Sequence, residues 1–242
     1  MNDIERDESE EKKGKLSIVA TPIGNLGDMT FRGLWQLKEC DVIYAEDTRV
    51  ISKLLSHYGL RTSVQRLDAA TEARKAKEIA VRLEKGEHVA LVSDAGTPGV
   101  SDPGARLVAY IRENVPEATI EALPGPSALT AALSISGLHS TEFTFLGFLP
   151  QKKGRQTALK KIAALVRQDS PQAGYPVVLY ESPHRIHKLL AELAAHGIRE
   201  VRIGRELTKM HEEFLVGDPL DLSADLKRRK ADRGEFVVIV SR

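Results

Sequence analysis

Short apolar runs alternate with amphipathic helical patterns through the first half of the chain. The apolar runs are LSIVA (16–20), DVIYAE (41–46), HVALVS (88–93) and TIEAL (119–123). The helical patterns begin near Thr30 and then cover about 49–58, 71–85 and 104–114. Strands that alternate with helices are typical of βαβ units, in which helices cover both faces of a mostly parallel sheet. We therefore predict an α/β domain over residues 16–125.

The pattern changes at LPGPSA (123–128), where two prolines flank a glycine and interrupt the alternation. Beyond it, strand-length runs at 143–150 and 176–182 are separated by helical patterns, and three more strands follow near the C-terminus at short separations. Short connections favour antiparallel pairs, so residues 126–242 are predicted to form a mixed α/β domain. The charged segment 1–15 has almost nothing apolar to bury and is predicted to be a disordered tail.

Composition excludes several classes of protein. The chain has 242 residues, 42% of them hydrophobic, and a formal net charge of +1, which lacks the basic excess of a non-specific nucleic-acid binder. The single cysteine, Cys40, excludes a disulfide scaffold and is expected in the core. No apolar run is long enough to span a bilayer, and none of secretory type precedes Leu16. We expect a cytoplasmic protein without a membrane segment.

Two glycine-containing loops follow strands of the first domain. TPIGNLGDMT (21–30) lacks the G-x-G-x-x-G dinucleotide fingerprint and the phosphate-loop motif, so its residues alone indicate a turn and a helix cap at Thr30. SDAGTPGVSDPG (93–104) is longer than a tight turn needs. Its glycines allow close backbone approach to a ligand, and Asp94 can accept a hydrogen bond from an ammonium or hydroxyl group. We expect Asp102 to cap the following helix.

Charged side chains also follow the second strand, in AEDTR (45–49). If the strands are parallel, Glu46, Asp47 and Arg49 lie at the same edge of the sheet as the glycine loops. This segment indicates either contact with a substrate or an ordinary helix start in which Thr48 is the cap.

A basic segment opens the second domain, because residues 151–167 contain six basic side chains and no acidic one. Lys152, Lys153 and Arg155 are expected to reach outward from a loop and to bind phosphate. The remaining three are expected to form a solvated helix face: Lys160, Lys161 and Arg167.

Two further motifs, YESPHRIH (180–187) and GRELTK (204–209), each place a glutamate beside a basic residue, which ion pairing explains. His184 and His187 lack a third ligand of suitable spacing, so no metal site is predicted.

Eight motifs together resemble one protein family. In order, they are VATPIGNLGDMT, AEDTR, LVSDAGTPGVSDPG, LPGPSA, GFLP, YESPHR, GRELTK and GEFVVIV, and they cover about residues 16–240. Their order and spacing resemble the tetrapyrrole methylase superfamily. Within it they resemble the branch that transfers a methyl group from S-adenosyl-L-methionine to a cytidine 2′-hydroxyl of small-subunit (16S) ribosomal RNA near the decoding site. The resemblance implies two α/β domains with the cofactor in the cleft between them, and a homodimer.

The resemblance also implies which residues bind the cofactor. The methionine part and ribose of S-adenosyl-L-methionine would lie along Asp94, Gly96 and Thr97. The rest of the pocket would be formed by Pro22, Ser127, Ala128, Tyr180 and Leu207.

A ribose hydroxyl is a poor nucleophile, so a carboxylate is expected to accept its proton during methyl transfer. The candidates are, in order, Asp47, Glu46 and Glu181. The RNA phosphates, of free RNA or of the assembled small subunit, would be bound by Arg49, Lys152, Lys153, Arg155 and Arg185.

Two other functions stay open on the sequence. One is a tetrapyrrole C-methyltransferase of the precorrin or uroporphyrinogen type, and the other is a non-catalytic RNA-binding module. The first loop argues against a porphyrinoid substrate, because only Gly24, Gly27 and Asp28 match the fuller G-x-G-x-G-D motif of tetrapyrrole-modifying members. Many ribosomal RNA members continue past GEFVVIV into a small helical extension, and RNA affinity from such a segment is not expected here.

Overall fold

A computed structural model describes residues 13–139, 141–166 and 175–241. The chain divides into two compact units beside the boundary that the sequence suggested, after Pro126. One short segment crosses that division, because Ile23–Asn25 belongs to the second unit although it lies within the first loop.

The structure describes only part of the predicted tail and part of the basic segment. Residues 1–12 and Arg167 lie outside the described residues. The first strand begins at Lys15, the last residue of the segment that was predicted to be a tail.

The first unit is built on a parallel sheet, as predicted, and this sheet has five strands, one more than the four apolar runs indicated. Its strands are β1 (Lys15–Val19), β2 (Val42–Ala45), β3 (Val64–Arg66), β4 (His88–Val92) and β5 (Thr119–Leu123), in the order β3-β2-β4-β1-β5. All four pairings are parallel. Its helices are a short 3₁₀ turn (Leu26–Asp28), α1 (Phe31–Glu39), α2 (Thr48–His57), α3 (Glu72–Glu84) and α4 (Ala105–Asn114).

Both faces of this sheet are covered. Successive residues of β2 enter different apolar clusters on the two faces of the sheet. Tyr44 packs with residues of α3 and α4, whereas Ile43 packs with residues of α1 and α2. Burial on both sides explains why β2 and β4 appear in the sequence as continuous apolar runs. Cys40 lies in the second of these clusters, which confirms its predicted place in the core.

The second unit contains a mixed sheet, which confirms the predicted change in topology. Its strands are β6 (Thr144–Phe148), β7 (Val177–Glu181), β8 (Val201–Arg205), β9 (Glu213–Gly217) and β10 (Phe236–Val240), in the order β6-β7-β10-β8-β9. Only β6 and β7 pair in parallel, and the other three pairings are antiparallel. Its helices are α5 (Ala128–Ser134), α6 (Arg155–Val166), α7 (Ile186–Ala195) and α8 (Pro219–Arg228).

The strands of this second sheet also contribute to two apolar clusters. Leu179 and Val238 pack with residues of α6, α7 and α8, whereas Val178 and Val237 pack with residues of α5. Because β6, β7 and β8 run in one direction, their carboxyl ends lie at one edge of the sheet. No helix in the described ranges is long and apolar enough to cross a membrane.

Candidate active site

The carboxyl ends of all five strands of the first sheet meet at one edge, where ligands bind in open α/β sheets. Backbone hydrogen bonds join the loops after β1 and β4 at this edge. Thr21 and Gly96 donate their N–H groups to each other's carbonyl oxygens at 2.9 and 3.0 Å. The Thr21 hydroxyl also donates to the Ser93 carbonyl at 3.1 Å, and the Ser93 hydroxyl donates to that of Gly96 at 3.0 Å. The long glycine loop is therefore held in one shape by buried polar side chains.

Gly96 is required by this arrangement. Its φ of +82° lies in the left-handed region, where a residue with a side chain is strained. Both backbone groups of Gly96 are engaged with Thr21. The glycine spacing that the sequence singled out thus serves the shape of the loop itself.

Asp94 links two of the loops. One of its carboxylate oxygens accepts a hydrogen bond from the Asp47 N–H at 2.9 Å, which joins the end of β4 to the end of β2. Within the described part of the chain, its other oxygen, Oδ2, makes no hydrogen bond. A half-buried carboxylate oxygen at the carboxyl edge of the sheet can therefore accept a hydrogen bond from a bound ammonium or hydroxyl group.

Asp47 is the N-cap of α2, and the expectation that Thr48 is the cap is wrong. The Asp47 carboxylate accepts from the N–H of Arg49 at 2.9 Å and forms a bidentate ion pair with its guanidinium. These bonds stabilise the ionised form and lower the pKa of Asp47 to about 2. Such a carboxylate is a weak base.

The pKa values of Glu46 and Asp102 shift in the opposite direction to that of Asp47. Burial, together with the negative charges of Asp94 and Asp68, raises the pKa of Glu46. Burial, together with Glu46 and Asp94, raises the pKa of Asp102 to about 6. In both cases burial is the larger cause, and the nearby negative charges add to it by disfavouring the ionised form.

Asp102 does not cap α4, contrary to the sequence-based expectation. The N-terminus of α4 is capped instead by the buried carboxylate of Glu72, which accepts hydrogen bonds from the N–H groups of Gly104, Arg106 and Leu107 at 2.9 to 3.1 Å. Such a negative charge suits the positive end of a helix dipole. Sequence reasoning missed Glu72 because its partners lie more than 30 residues further along the chain.

At the carboxyl edge of the second sheet, Glu181 is buried and ion-paired. Its Oε1 lies 2.7 Å from Nε of Arg185 and accepts from the N–H of Ser182 at 2.8 Å. Nη2 of Arg155 lies 3.9 Å from its Oε2. A carboxylate in these surroundings is shielded from a ribose hydroxyl.

Arg155 does not reach outward, so that prediction is wrong. It is the first residue of α6, its side chain is 3% exposed, and its guanidinium contacts Glu192 at 2.7 Å. Lys152 and Lys153 are exposed in the loop before it, and Lys160 and Lys161 are exposed on α6. Of the basic residues predicted to bind phosphate, Arg49 is also exposed, although it is paired with Asp47, and Arg185 is only slightly exposed.

The predicted cofactor residues form one group in each unit. Pro22 follows Thr21, and Asp94, Gly96 and Thr97 belong to the loop that is bonded to it. In the second unit, three of the predicted residues pack in one apolar cluster: Ala128, Tyr180 and Leu207. Ser127 is the N-cap residue of α5, and its side chain forms no capping hydrogen bond.

Comparison with known proteins decides the family. The family model for tetrapyrrole (corrin/porphyrin) methylases matches residues 15–221. The chain belongs to the tetrapyrrole methylase family. This finding confirms the resemblance that the eight motifs indicated.

Several relatives of this tetrapyrrole methylase carry the name ribosomal RNA small subunit methyltransferase I. The protein of that name from Borrelia garinii subsp. bavariensis is 43% identical over 94% of this chain and 98% of its own length. Its counterpart from Thermotoga maritima is 41% identical with the same coverage. The protein from Neisseria meningitidis serogroup B is 42% identical, and the match covers 94% of this chain and 76% of the relative.

Solved structures share the fold of this tetrapyrrole methylase at low sequence identity. A diphthine synthase superposes with a TM-score of 0.69 at 18% identity, covering 94% of this chain and 90% of the other. A uroporphyrin-III-C-methyltransferase from Thermus thermophilus superposes with a TM-score of 0.63 at 19% identity, covering 95% and 94%. These likenesses show that the fold is shared with the two solved structures.

Proposed function

We propose that this protein transfers the methyl group of S-adenosyl-L-methionine to the 2′-hydroxyl of a cytidine in small-subunit (16S) ribosomal RNA, near the decoding site. The observation that carries the proposal is the identity of 41–43% with proteins named ribosomal RNA small subunit methyltransferase I, over 94% of this chain. The cytidine, the 2′-oxygen and the position near the decoding site rest on the motif resemblance.

The carboxyl edge of the first sheet suits a cationic cofactor. S-adenosyl-L-methionine carries positive charge on its sulfonium and ammonium groups, and Glu46, Asp94 and Asp102 bring negative charge together there. We propose that the segment Asp94–Thr97 and Pro22 hold the methionine part and ribose. We also propose that four residues of the second unit contact the cofactor: Ser127, Ala128, Tyr180 and Leu207.

When bound, S-adenosyl-L-methionine supplies the methyl group, and the protein must orient the ribose hydroxyl and accept its proton. The carboxylate with the best combination of charge and basicity is Glu46, because its raised pKa makes it a stronger base than Asp47. Glu181 is the weakest of the three candidates, since it is buried and paired with Arg185. We therefore propose the order Glu46, Asp47, Glu181.

RNA binding is proposed for the exposed basic residues of the second unit. Lys152 and Lys153 lie outside any ion pair within the described residues and are exposed directly before the N-terminus of α6. Arg49 and Arg185 are further candidates, each with part of its guanidinium already engaged by a carboxylate. Arg155 is excluded from direct phosphate contact by its burial.

The experiment that tests this function measures tritium transfer from S-adenosyl-L-methionine to assembled small ribosomal subunits, to free 16S RNA and to uroporphyrinogen. We expect incorporation into ribosomal RNA at the ribose 2′-oxygen of one cytidine. Incorporation into uroporphyrinogen alone, or binding of RNA without any transfer, contradicts the proposal.

We also propose that the protein is a homodimer and is located in the cytoplasm. On α1, the side chains of Phe31 and Trp35 are 92% and 60% exposed and lie one helical turn apart, which makes them an apolar surface suited to a second copy. Light scattering of the wild type should give the mass of a dimer, and Trp35→Glu should lower it. A monomeric wild type contradicts this part of the proposal.

A further inference from the structure

A β-bulge at the end of β6 places two aromatic rings on one face of the second sheet. In a regular strand, Phe145 and Phe148 point to opposite faces. Here the register with β7 shifts between Phe145 and Gly147, and Gly147 has a φ of +60°. The extra residue returns Phe148 to the face of Phe145, so the two rings lie 5.7 and 5.0 Å from the ring of Tyr180, both edge-to-face.

The two rings differ in their exposure to solvent. Phe145 packs against the apolar cluster that contains Val178, whereas Phe148 is 53% exposed. A bulge that exposes a large apolar ring gains nothing for the core. Bulges are enriched beside active sites, where they re-aim a side chain.

A fixed cation borders the exposed ring. The guanidinium carbon of Arg185 lies 5.9 Å from the centre of the Phe148 ring, within the range of cation–π attraction. Glu181 holds Nε of Arg185 at 2.7 Å, and Nη1 donates to the Leu149 carbonyl at 3.3 Å. In the described ranges of the chain, Nη2 of Arg185 makes no hydrogen bond. Arg185 is thus oriented by buried partners and retains a donor for an external acceptor.

The chain then continues directly into the basic loop. Leu149 and Pro150 follow the strand, and the loop after them exposes Lys152 and Lys153. The loop also leads into the N-terminus of α6, whose dipole favours an anion nearby. An apolar ring, a fixed guanidinium and two exposed ammonium groups therefore follow one another at this end of β6.

We propose that Phe148 stacks on an unpaired base of the RNA substrate while Arg185, Lys152 and Lys153 contact the adjoining phosphates. Sequence-specific RNA recognition targets unstacked bases, which stack on aromatic side chains and arginine planes. This inference rests on the proposed function and identifies the surface of that site which selects single-stranded over duplex RNA.

The test compares binding of a single-stranded RNA of about 12 nucleotides with binding of the same strand in a duplex, because single-strand sites of this kind span several nucleotides. Phe148→Ala should weaken single-strand binding about 10-fold, since stacking on one aromatic ring contributes on this order. Binding to the duplex should change little, and Phe148→Tyr should retain most of the affinity.

Phe143→Ala is the matched control. Phe143 is also an exposed aromatic residue of the second unit, at 44%, and forms no ring or cation contact with any described residue. Its removal should leave RNA affinity unchanged. The slope of affinity against salt should also be the same for Phe148→Ala and the wild type, because no phosphate contact is lost.

Calorimetry with S-adenosyl-L-methionine separates the other interpretations. If Phe148→Ala weakens cofactor binding and not RNA binding, the ring belongs to the cofactor pocket and the inference is wrong. Equal losses for single-stranded and duplex RNA also overturn it.

A wild type that binds RNA through Phe148 without methylating small subunits contradicts the proposed function alone. A wild type that methylates them while Phe148→Ala binds RNA normally contradicts the stacking alone.

Discussion

At the carboxyl edge of the first sheet, burial together with nearby negative charges raises the pKa of Glu46 and of Asp102. At the corresponding edge of the second sheet, Oε1 of the buried carboxylate Glu181 is ion-paired with Arg185. Both edges carry carboxylates at strand ends, half-buried at the first edge and buried at the second, and of these described carboxylates Glu181 alone is paired with a partly buried arginine.

The difference indicates that the two sheet edges have different roles. Carboxylates that repel one another store unfavourable energy, which a bound cation can relieve, so the first edge is suited to a sulfonium cofactor and to proton transfer. Carboxylates that are paired with arginines act as supports, and the exposed lysines beside them are the residues that we propose to bind phosphates. The following experiments test this difference in roles, starting with the largest expected effect.

Glu46→Gln should remove most of the methyl-transfer activity that we propose for the first edge. The substitution keeps the size of the side chain and removes its basicity, so methyl transfer should fall by about 10²- to 10⁴-fold if Glu46 accepts the proton. Single-turnover transfer from S-adenosyl-L-methionine to small subunits measures this effect.

Asp47→Asn is the matched control for Glu46→Gln. Because Asp47 is a weaker base that is engaged with Arg49, its loss should slow transfer much less. A larger effect of Asp47→Asn than of Glu46→Gln would restore the order of candidates that the sequence suggested. If neither substitution matters, catalysis rests on positioning.

Arg155→Met should reveal the supporting role of the second edge. It leaves Glu192 without its closest partner and removes a cation beside Glu181, and breaking a buried pair from one side costs about 3 kcal/mol. Urea unfolding measures the free energy of unfolding. Lys152→Met, in the exposed loop nearby, should leave that free energy unchanged. Equal stability of both variants would contradict a structural role for Arg155.

Local sequence signals predicted most elements and the loops correctly, but they did not predict β3 or α8. They also failed where the deciding contact is distant in sequence. Strand alternation identified the parallel sheet, and Thr30 caps α1 as expected. Arg155 is oriented by Glu192, 37 residues later. Asp102 does not cap α4, because Glu72 occupies that position. Composition alone shows that such residues are charged, but not which partner neutralises them.

The site shows the same limit. The glycine loop at 93–104 was identified from its composition, because glycine and proline act on the local backbone. The exposure of Phe148 could not be predicted, since regular alternation places it on the other face and only the bulge at Gly147 reverses that. A glycine inside a strand-length run, as in FTFLGFLP, is the signal that could have suggested a bulge.

A double substitution of Lys152 and Lys153 by alanine tests the phosphate contacts of the second edge. RNA affinity should fall roughly tenfold, and the slope of log affinity against log salt should become shallower by about 1.4, since each single-strand phosphate contact contributes about 0.7. Cofactor affinity should not change. The double substitution Lys160→Ala with Lys161→Ala is the control, because these lysines are exposed on α6 and are expected to be merely solvated. Identical slopes for the two double variants would contradict the assignment.

Asp102→Asn should give the smallest effect, and its sign distinguishes the two kinds of carboxylate. The pKa of Asp102 is about 6 in the folded protein and near 3.8 when unfolded, so folding favours the protonated form. The associated stability is complete below about pH 4 and is lost as the pH rises through about 6. At pH 8, Asp102→Asn should therefore be more stable than the wild type by about 1 kcal/mol, a value reduced for solvent screening. The difference should vanish in acid.

Asp47→Asn should show the opposite sign. The lowered pKa of Asp47 stabilises the fold at pH values above the pKa of the unfolded state, and that contribution is lost only as the pH falls towards about 2. Unfolding free energies from about pH 3 to 8 measure both curves, and curves of the same sign would contradict the division between repelled and paired carboxylates.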